Sequence, residues 1–394
     1  MNKIKVLFIV PDFYPNSTGF ANATKNMVNS IVKYGHDKYQ VFVYTNVALG
    51  HNVEMEGVTV IRDTKKYAVE NRLTYEICDR FRYNSLKGII LNNKIDVIFF
   101  ETNIFPNIQL WALKDFGDKV YVRIHSTADT EVPVFIKPRS FVGRRRRSKI
   151  FEFMQNVHNI TSTSTFYLNF VRKFFMHDNV YTKWNGKTYG LLFNTAGIDN
   201  EPMKTVNNNR FLTMGKISDN GLTQKGLLDL VKAVYCLKKS RRLPNDFNLT
   251  IIGDGVKIQV VRKLISDLHL ATYITIVEKA THEEVFNYVR SVRAIVLLSR
   301  YEGQSMFITE SIALGKPLIL SDNNGMQDMI CDKINGYVVK TGDYYDAAEK
   351  LYKMMNLTES ELEKMSKESN CIYNNNYTGL AVYQQFDELI SFKI

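Results

Sequence analysis

The sequence predicts an α/β protein built from two parallel-sheet domains. Short runs rich in Val, Ile and Phe alternate with amphipathic stretches along the chain, as expected for repeated strand–helix–strand units. The length of 394 residues exceeds what one hydrophobic core usually serves, which favours two domains of about 200 residues each. A polar, aperiodic stretch near residue 200 separates the two series of strands.

The first domain is predicted at residues 1–197. Helical periodicity marks Ala21–Tyr34 and Tyr67–Asn92 within it. The first apolar run is short and is followed by Pro11 and Asp12 rather than by small residues, so a β-strand is favoured over a signal peptide. Strands are predicted at Lys5–Val10, Gln40–Tyr44, Val58–Arg62, Asp96–Phe100, Val120–His125 and Asn159–Thr163.

The second domain is predicted at residues 210–375, after a linker at 198–209. The chain is expected to finish in helices from about Thr358, and a C-terminal helix at 376–394 could pack back on the first domain. Strands are predicted at Arg210–Gly215, Asn248–Gly253, Ile274–Val277, Ala294–Ser299, Pro317–Ser321 and Gly336–Val339.

The composition is that of a soluble globular protein, with 45% hydrophobic and 23% charged residues. No apolar run reaches the roughly 18 residues of a membrane span. The four cysteines, Cys78, Cys236, Cys331 and Cys371, show no C-x-x-C spacing. This pattern indicates neither a disulfide framework nor a zinc site, and it fits a reducing cytoplasm.

The positive charge is concentrated in the first half of the chain. Residues 1–200 carry a net charge of +10 and the remainder carries +1, out of a total of +11. This imbalance suggests an anionic partner for the first domain, and nucleic acid and acidic lipid headgroups both fit the charge alone.

The basic run at Arg144–Lys149 favours one of these two partners. It lies between aromatic and aliphatic residues, a pattern typical of an interfacial membrane segment. No nucleic-acid-binding module accompanies it. We therefore expect an anionic membrane surface or an acceptor, and not nucleic acid, to contact Arg144, Arg145, Arg146, Arg147 and Lys149.

Two carboxylates follow the buried-type strand at Ala294–Ser299. Glu302 lies on the loop, and Glu310 about two turns into the next helix. The carboxyl ends of strands in open α/β sheets bind ligands, and the start of a helix presents N–H groups to an anion. Either glutamate alone could be an ordinary solvated residue, but the preceding strand favours a site.

The stretch Glu302-x7-Glu310, followed by Ser311–Pro317, resembles the E-x7-E signature of family-four retaining glycosyltransferases with the GT-B fold. The resemblance implies two Rossmann-like domains facing a central cleft. It also implies that Glu302 contacts donor-sugar hydroxyls and that Glu310 accepts hydrogen bonds from the ribose diol. The donor would further contact the residues at the start of this helix, Ser305, Met306 and Phe307.

The stretch Met214–Gly226 resembles the G-R-L…K-G stretch of the same family, whose cations contact the donor diphosphate. Lys216 and Lys225 would take that role here, beside a helix start where preorganised positive charge stabilises a pyrophosphate leaving group best. Lys216 stands where the family has arginine, and its spacing to Lys225 is longer than common. A lysine cannot form the bidentate contacts of an arginine.

Further stretches resemble the family more briefly. Leu249–Gly255 resembles the strand that ends in glycines beside the nucleotide, and Thr195–Asp199 resembles the domain junction. Val122–His125 resembles the strand whose final histidine lies near the donor sugar, and Pro15–Gly19 matches the amino-terminal loop in part. These matches add His125 to the catalytic residues and Gly19, Gly215 and Gly253 to the donor site.

The resemblance implies a retaining glycosyltransferase of the hexosyltransferase class. No two aspartates are two residues apart, so the D-x-D pair of metal-dependent enzymes is absent, and we expect neither a metal site nor a cofactor. The expected substrates are a nucleotide-sugar, with UDP favoured as its carrier, and a lipid-linked or cell-envelope glycan. The expected location is cytoplasmic, at the inner face of the plasma membrane.

Two alternatives remain at this point. One is a non-catalytic GT-B subunit that binds or stabilises a partner transferase or its acceptor. The other is a nucleotide-sugar 2-epimerase of similar fold, which the basic run and the E-x7-E pattern disfavour. A protein partner or an oligomer stays open.

Overall fold

A computed structural model describes residues 2–16, 18–45, 54–63, 75–102, 105–125, 141–176, 187–199, 205–322 and 325–391. The chain divides into two compact units. The first comprises Met1–Gly197 and Gly379–Ile394, and the second comprises Ile198–Thr378. Residues 200–204 of the predicted linker lie outside the described residues.

The first unit is built on a parallel sheet in the order β3-β2-β1-β4-β5-β6-β7. Every predicted strand is observed and differs by one residue at most at either end. Among the described strands of this unit, only β7 was not predicted; it is an edge strand whose residues are all half-buried and therefore lack an apolar pattern. The strands are β1 Ile4–Val10, β2 Tyr39–Thr45, β3 Val58–Arg62, β4 Val97–Phe100, β5 Val120–Ile124, β6 Asn159–Ser162 and β7 Thr188–Leu191.

Helices cover this sheet, as an all-parallel sheet requires. The first helix begins after Thr18, whose side chain accepts a hydrogen bond from the N–H of Ala21. The second predicted helix is observed from Tyr75, and its predicted start at residues 67–74 lies outside the described residues. The helices are α1 Gly19–Gly35, α2 Tyr75–Asn93, α3 Pro106–Phe116, α4 Phe141–Asn156 and α5 Thr165–Met176.

The second unit is built on a parallel sheet in the order β10-β9-β8-β11-β12-β13. The six predicted strands are all found. They are β8 Arg210–Met214, β9 Asn248–Ile252, β10 Ile274–Val277, β11 Ala294–Leu297, β12 Leu318–Ser321 and β13 Gly336–Val339. The helices are α6 Asp219–Gln224, α7 Leu227–Lys239, α8 Ile258–Asp267, α9 His282–Ser291, α10 Met306–Ala313, α11 Tyr344–Met355 and α12 Glu359–Asn376.

A last helix, α13 (Gly379–Ser391), belongs to the first unit. The ring of Phe386 lies 6.1 Å from that of Phe8 and 5.8 Å from that of Phe99. Lys38 Nζ donates to Asp387 Oδ1 at 2.6 Å. The end of the chain therefore completes the hydrophobic packing of the first sheet.

The strand order of each sheet has one reversal point. In the first unit it falls between β1 and β4, and in the second between β8 and β11. Ligands of open α/β sheets bind outside the carboxyl ends of the strands at such points. The loops after β1, β4, β8 and β11 are therefore the places to look for a site.

Among the described residues, no helix combines the length and the apolar character needed to cross a bilayer.

Candidate functional site

The reversal point of the second unit brings two predicted residues together. Lys225 lies on the connection after β8, and Glu302 on the loop after β11. The Lys225 ammonium donates to Glu302 Oε2, and the two side chains are only 18% and 15% exposed. Ser299 Oγ lies 3.4 Å from the same carboxylate oxygen. The pair is thus an ammonium and a carboxylate that are largely shielded from water.

The glycines around this pair allow the close packing of the loops. A Cβ on Gly215 would lie 2.8 Å from Cγ of Lys225, so the lysine stem crosses the backbone of Gly215. Gly226 has a φ of +62°, in the left-handed region that glycine tolerates, and a Cβ there would lie 2.1 Å from the carbonyl oxygen of Leu298. Gly253 packs its backbone on the carbonyl oxygen of Gly215.

Lys216 lies at the start of the same connection. It is exposed, and no described acidic residue forms an ion pair with it. The residues between Lys216 and Lys225 form the short helix α6, which Ser218 caps by accepting from the N–H of Gly221 at 3.1 Å. The long spacing noted in the sequence is therefore accommodated by one short helix.

Glu310 pairs with a histidine that sequence reasoning did not select. His282 Nε2 lies 2.9 Å from Glu310 Oε1, and the His282 ring packs on Phe286 at 4.7 Å between centroids. The hydrogen bond to Glu310 raises the pKa of His282, against the opposing effect of burial. The only local signal was the capping box at Thr281 and Glu284, which marks the start of α9.

The other residues predicted to contact the donor, Ser305, Met306 and Phe307, lie at the start of α10. Ser305 is the N-cap residue, but its side chain makes no capping hydrogen bond. Met306 is half-buried and Phe307 is buried. The first turn of α10 thus begins without a side-chain cap, close in the chain to Glu302, and this is the end of a helix that favours anions.

In the first unit, His125 follows β5 and contacts a buried carboxylate. Its Nε2 lies 2.9 Å from Glu101 Oε2, and Arg123 Nη1 lies 2.9 Å from the same oxygen. Glu101 and Arg123 are completely buried. The ring of Phe20 packs on His125 at 4.9 Å between centroids. Sequence reasoning selected His125 alone and missed its two partners.

Gly19 is the first residue of α1, next to Phe20. Apart from its chain neighbours and the backbone of its own helix, no described residue lies within 4 Å of the position that a Cβ on Gly19 would take. Local packing therefore does not explain a glycine at this position.

The basic run lies on α4. Arg144, Arg145 and Arg146 are exposed, and the Arg147 guanidinium lies 5.4 Å from the ring of Phe151. Lys149 is turned inward instead, because its ammonium donates to Glu76 at 2.8 Å and to Asn107. Arg144, Arg145 and Arg146 thus form the exposed basic part of the run.

A cavity of about 780 Å³ lies elsewhere in the second unit. Its walls come from α7, α8 and α11, with Tyr235, Leu264 and Tyr345 among the lining residues. None of the predicted site residues lines it, so it is separate from the Lys225–Glu302 pair.

Solved structures with the same architecture define the fold class. Sucrose-phosphate synthase from Thermosynechococcus elongatus superposes with a TM-score of 0.77 at 14% identity, covering 99% of each chain. Anabaena HepE, solved with UDP and glucose, superposes with a TM-score of 0.68 at 13% identity, covering 99% of this chain and 100% of its own. At such identities the likeness shows the fold alone, which is that of GT-B glycosyltransferases.

Sequence comparison adds a family match for the second unit. Residues 201–371 match the profile described as "Glycosyl transferases group 1". The matched segment contains Lys216, Lys225, Glu302 and Glu310.

One curated relative is the alpha-D-kanosaminyltransferase of Streptomyces kanamyceticus, 30% identical over 158 residues, or 39% of this chain. The chain covers only 36% and 37% of the length of the first two curated relatives that it matches.

Proposed function

We propose that this protein is a retaining, metal-independent glycosyltransferase. It transfers a sugar from a nucleotide-sugar to a lipid-linked or cell-envelope glycan. The observation that carries this proposal is the Lys225–Glu302 pair at the reversal point of the second sheet, beside the start of α10. The family match over residues 201–371 supports sugar transfer as the reaction.

The donor binds mainly to the second unit. Its diphosphate competes with Glu302 for the Lys225 ammonium, because the two negative groups need the same cation. Once released, the Glu302 carboxylate accepts hydrogen bonds from the donor-sugar hydroxyls. Glu310 accepts from the ribose diol through its second oxygen, while His282 holds the first. UDP is the favoured carrier, in line with the UDP and glucose bound to the Anabaena relative of the fold.

The reaction breaks the bond between the anomeric carbon of the sugar and the diphosphate oxygen. The acceptor hydroxyl forms the new bond on the same face, and its proton passes to the departing phosphate. Lys225, joined by Lys216, stabilises the charge that develops on the diphosphate. Transfer should therefore persist in EDTA with retained anomeric configuration, and a strict Mn²⁺ requirement would contradict metal independence.

The acceptor and the membrane are assigned to the first unit. Exposed Ile77 and Phe81, 58% and 59% accessible, lie one turn apart on α2. Glu76, the neighbour of Ile77, binds Arg145 of α4 at 3.1 Å. Exposed apolar side chains on α2 and exposed basic side chains on α4 thus lie on two helices that contact each other, a combination that proteins resting on anionic lipid use. This combination supports a peripheral position at the inner face of the plasma membrane.

Nucleotide binding tests the donor site directly. UDP, GDP, ADP and CDP are tested separately. We expect one of them, UDP, to raise the temperature of thermal unfolding. A ligand at 100 times its Kd stabilises the folded state by about 2.7 kcal/mol, which is readily measured. The shift should disappear in Lys225→Ala and persist in Lys263→Ala, whose lysine lies on the solvent side of α8.

The same experiment separates the proposal from its main alternative. A wild-type protein that responds to none of the four nucleotides would contradict a donor site. That result would favour the non-catalytic subunit instead.

Liposome binding tests the membrane surface. Changing Arg144, Arg146 and Arg147 to glutamine should weaken cosedimentation with anionic liposomes, since each basic residue near the surface contributes about 1 kcal/mol. Glutamine keeps the helix propensity of arginine, and Arg145 is retained because it pairs with Glu76. The control changes exposed Lys263, Lys364 and Lys367 of the second unit to glutamine. Equal binding by both triple variants would remove the membrane assignment.

A further inference from the structure

The cavity of about 780 Å³ between α7, α8 and α11 has an apolar floor. Leu237 of α7 and Ala348 of α11 are buried there, and Leu264 and Leu268 at the end of α8 are half-buried. The volume lies within the range of cavities that hold small organic molecules, roughly 300–1,000 Å³. An ion alone would leave the apolar floor in contact with water, so a matching occupant needs an apolar body.

Tyrosine rings form part of the walls and favour a flat occupant. Tyr344 and Tyr345 begin α11, and their ring centroids lie 4.4 Å apart with 34° between the ring planes. Tyr345 is 64% exposed, and Tyr235 on the facing helix α7 is half-buried. Aromatic rings prefer to pack on one another in offset or edge-to-face arrangements. An aromatic ring in the occupant therefore has partners in this cavity.

The acidic residues of the cavity are already paired within the protein. Glu349 accepts two hydrogen bonds from the Arg242 guanidinium, and the one from Nη2 to Oε2 measures 3.0 Å. Asp346 accepts from the backbone N–H of Lys340 at 2.9 Å and lies 3.7 Å from the Lys350 ammonium. The negative charge on the walls is therefore balanced.

Two lysines of the lining are not balanced in this way. Lys232 and Lys239 are exposed, and no acidic side chain of the described residues forms an ion pair with either. The Lys232 ammonium lies 5.5 Å from the centre of the Tyr344 ring. The two lysines are seven residues apart on α7, which is about two turns, so they lie on the same side of the helix. This unbalanced positive charge favours a negatively charged occupant.

We propose that this cavity is a second ligand site, which binds a small molecule that carries an aromatic ring and an anionic group. The ring packs against Tyr344 and Tyr345, and Lys232 and Lys239 bind the anion. The inference does not rest on the proposed function, because none of the residues assigned to the nucleotide-sugar lines the cavity.

Cys236 provides a reporter inside the cavity. It is a half-buried lining residue, whereas Cys331 and Cys371 are exposed and lie outside the lining. Burial raises the pKa of the Cys236 thiol, so labelling with iodoacetamide is run at alkaline pH, where the reactive thiolate forms. Peptide mass spectrometry then gives the labelling rate of each cysteine separately.

The probe is anilinonaphthalene sulfonate, an aromatic anion. Its matched neutral compound is phenylnaphthylamine, which has the same rings without the sulfonate. At ten times its Kd the sulfonate probe leaves roughly a tenth of the sites free, so the labelling of Cys236 should slow about tenfold. The labelling rates of Cys331 and Cys371 should stay unchanged.

Two double variants test the charge. Lys232→Gln with Lys239→Gln should raise the Kd of the sulfonate probe by at least about threefold, since exposed ion pairs are individually weak. The same variant should leave the Kd of phenylnaphthylamine unchanged. The control, Lys364→Gln with Lys367→Gln, removes two exposed lysines of α12 and should bind both probes as wild type does. Each Kd comes from labelling rates with and without probe in one variant, because Lys239 itself lowers the pKa of Cys236.

Two substitutions of Tyr345 test the ring contact. Tyr345→Ala should raise the Kd of both probes by about threefold, because it removes one aromatic partner. Tyr345→Phe keeps the ring and should bind both probes as the wild type does.

Three results would each overturn the inference. The first is a Cys236 that the sulfonate probe does not protect. The second is a lysine double variant that binds the sulfonate probe as tightly as wild type, or that weakens both probes equally. The third is labelling of Cys236 that slows with rising protein concentration in the absence of probe, which would show that a second copy of the chain covers the cavity.

Discussion

Replacing Lys225 by alanine is expected to reduce kcat/KM for sugar transfer by about 10²–10³-fold, the usual effect of removing one preorganised charge from a developing anion. Lys225 carries the ammonium that is held in place by Glu302 and by the backbone of Gly215. Without it, the departing diphosphate loses a cation that water reaches poorly. Initial rates at several donor concentrations measure the effect.

Two comparisons make this result specific. Lys225→Arg keeps a positive charge and should retain more transfer than the alanine variant. Lys263→Ala removes an exposed lysine that pairs only with Asp267 one turn away, and it should behave as wild type. An alanine variant at position 225 that transfers sugar normally would remove the diphosphate assignment.

Replacing Arg293 by alanine is expected to lower the free energy of unfolding of the second unit by at least about 3 kcal/mol. Arg293 is 2% exposed. Its guanidinium donates to the carbonyl oxygens of Met354 at 2.8 Å and Leu357 at 2.8 Å, and to Asn207 Oδ1 at 2.6 Å. The change takes the donor away from these acceptors, of which the carbonyl of Met354 is buried, and removes a cation from the C-terminal end of α11.

Urea unfolding measures the loss, and hydrogen exchange over residues 344–357 locates it. The matched control is Arg262→Ala, which breaks an exposed ion pair with Glu278. Exposed pairs contribute about 0–1 kcal/mol, so this variant should unfold almost as wild type. If the two variants lose similar free energy of unfolding, the carbonyl oxygens of Met354 and Leu357 must find other donors.

The strands were predictable because the strands of a parallel sheet that is covered on both faces consist almost entirely of apolar residues. β11, which reads Ala-Ile-Val-Leu, is buried at every position. β7 lacks this apolar signal. It lies at the edge of its sheet, and half-buried Thr188–Leu191 offers no such run.

Residues of the candidate site were predictable only where a motif contains them. Glu302 and Lys225 were selected from separate motifs, and the structure places them in contact. Glu101 and His282 could not be selected, because they contact His125 and Glu310 across 24 and 28 residues of chain with no local pattern. Arg123 reads as one polar residue in an apolar strand, and only the fold shows that it is buried.

A motif position can also serve the fold alone. Lys316 belongs to the stretch that resembles the family signature, yet it is 1% exposed. Its ammonium donates to the carbonyl oxygens of Arg290 and Val292, each at 3.0 Å, where it neutralises the C-terminal end of α9. A residue that belongs to a family signature can therefore cap a helix without taking part in the chemistry.

The return of α13 to the first unit affects the order in which the protein folds during synthesis. Phe386 packs on Phe8 and Phe99, so the first unit lacks part of its core until α13 has left the ribosome. The second unit is continuous in sequence, from Ile198 to Thr378, and can close first. We therefore expect the second unit to fold before the first, the reverse of the usual N-terminal-first order of domain folding. Meanwhile the apolar face of the unfinished first unit is the surface that a chaperone would need to protect.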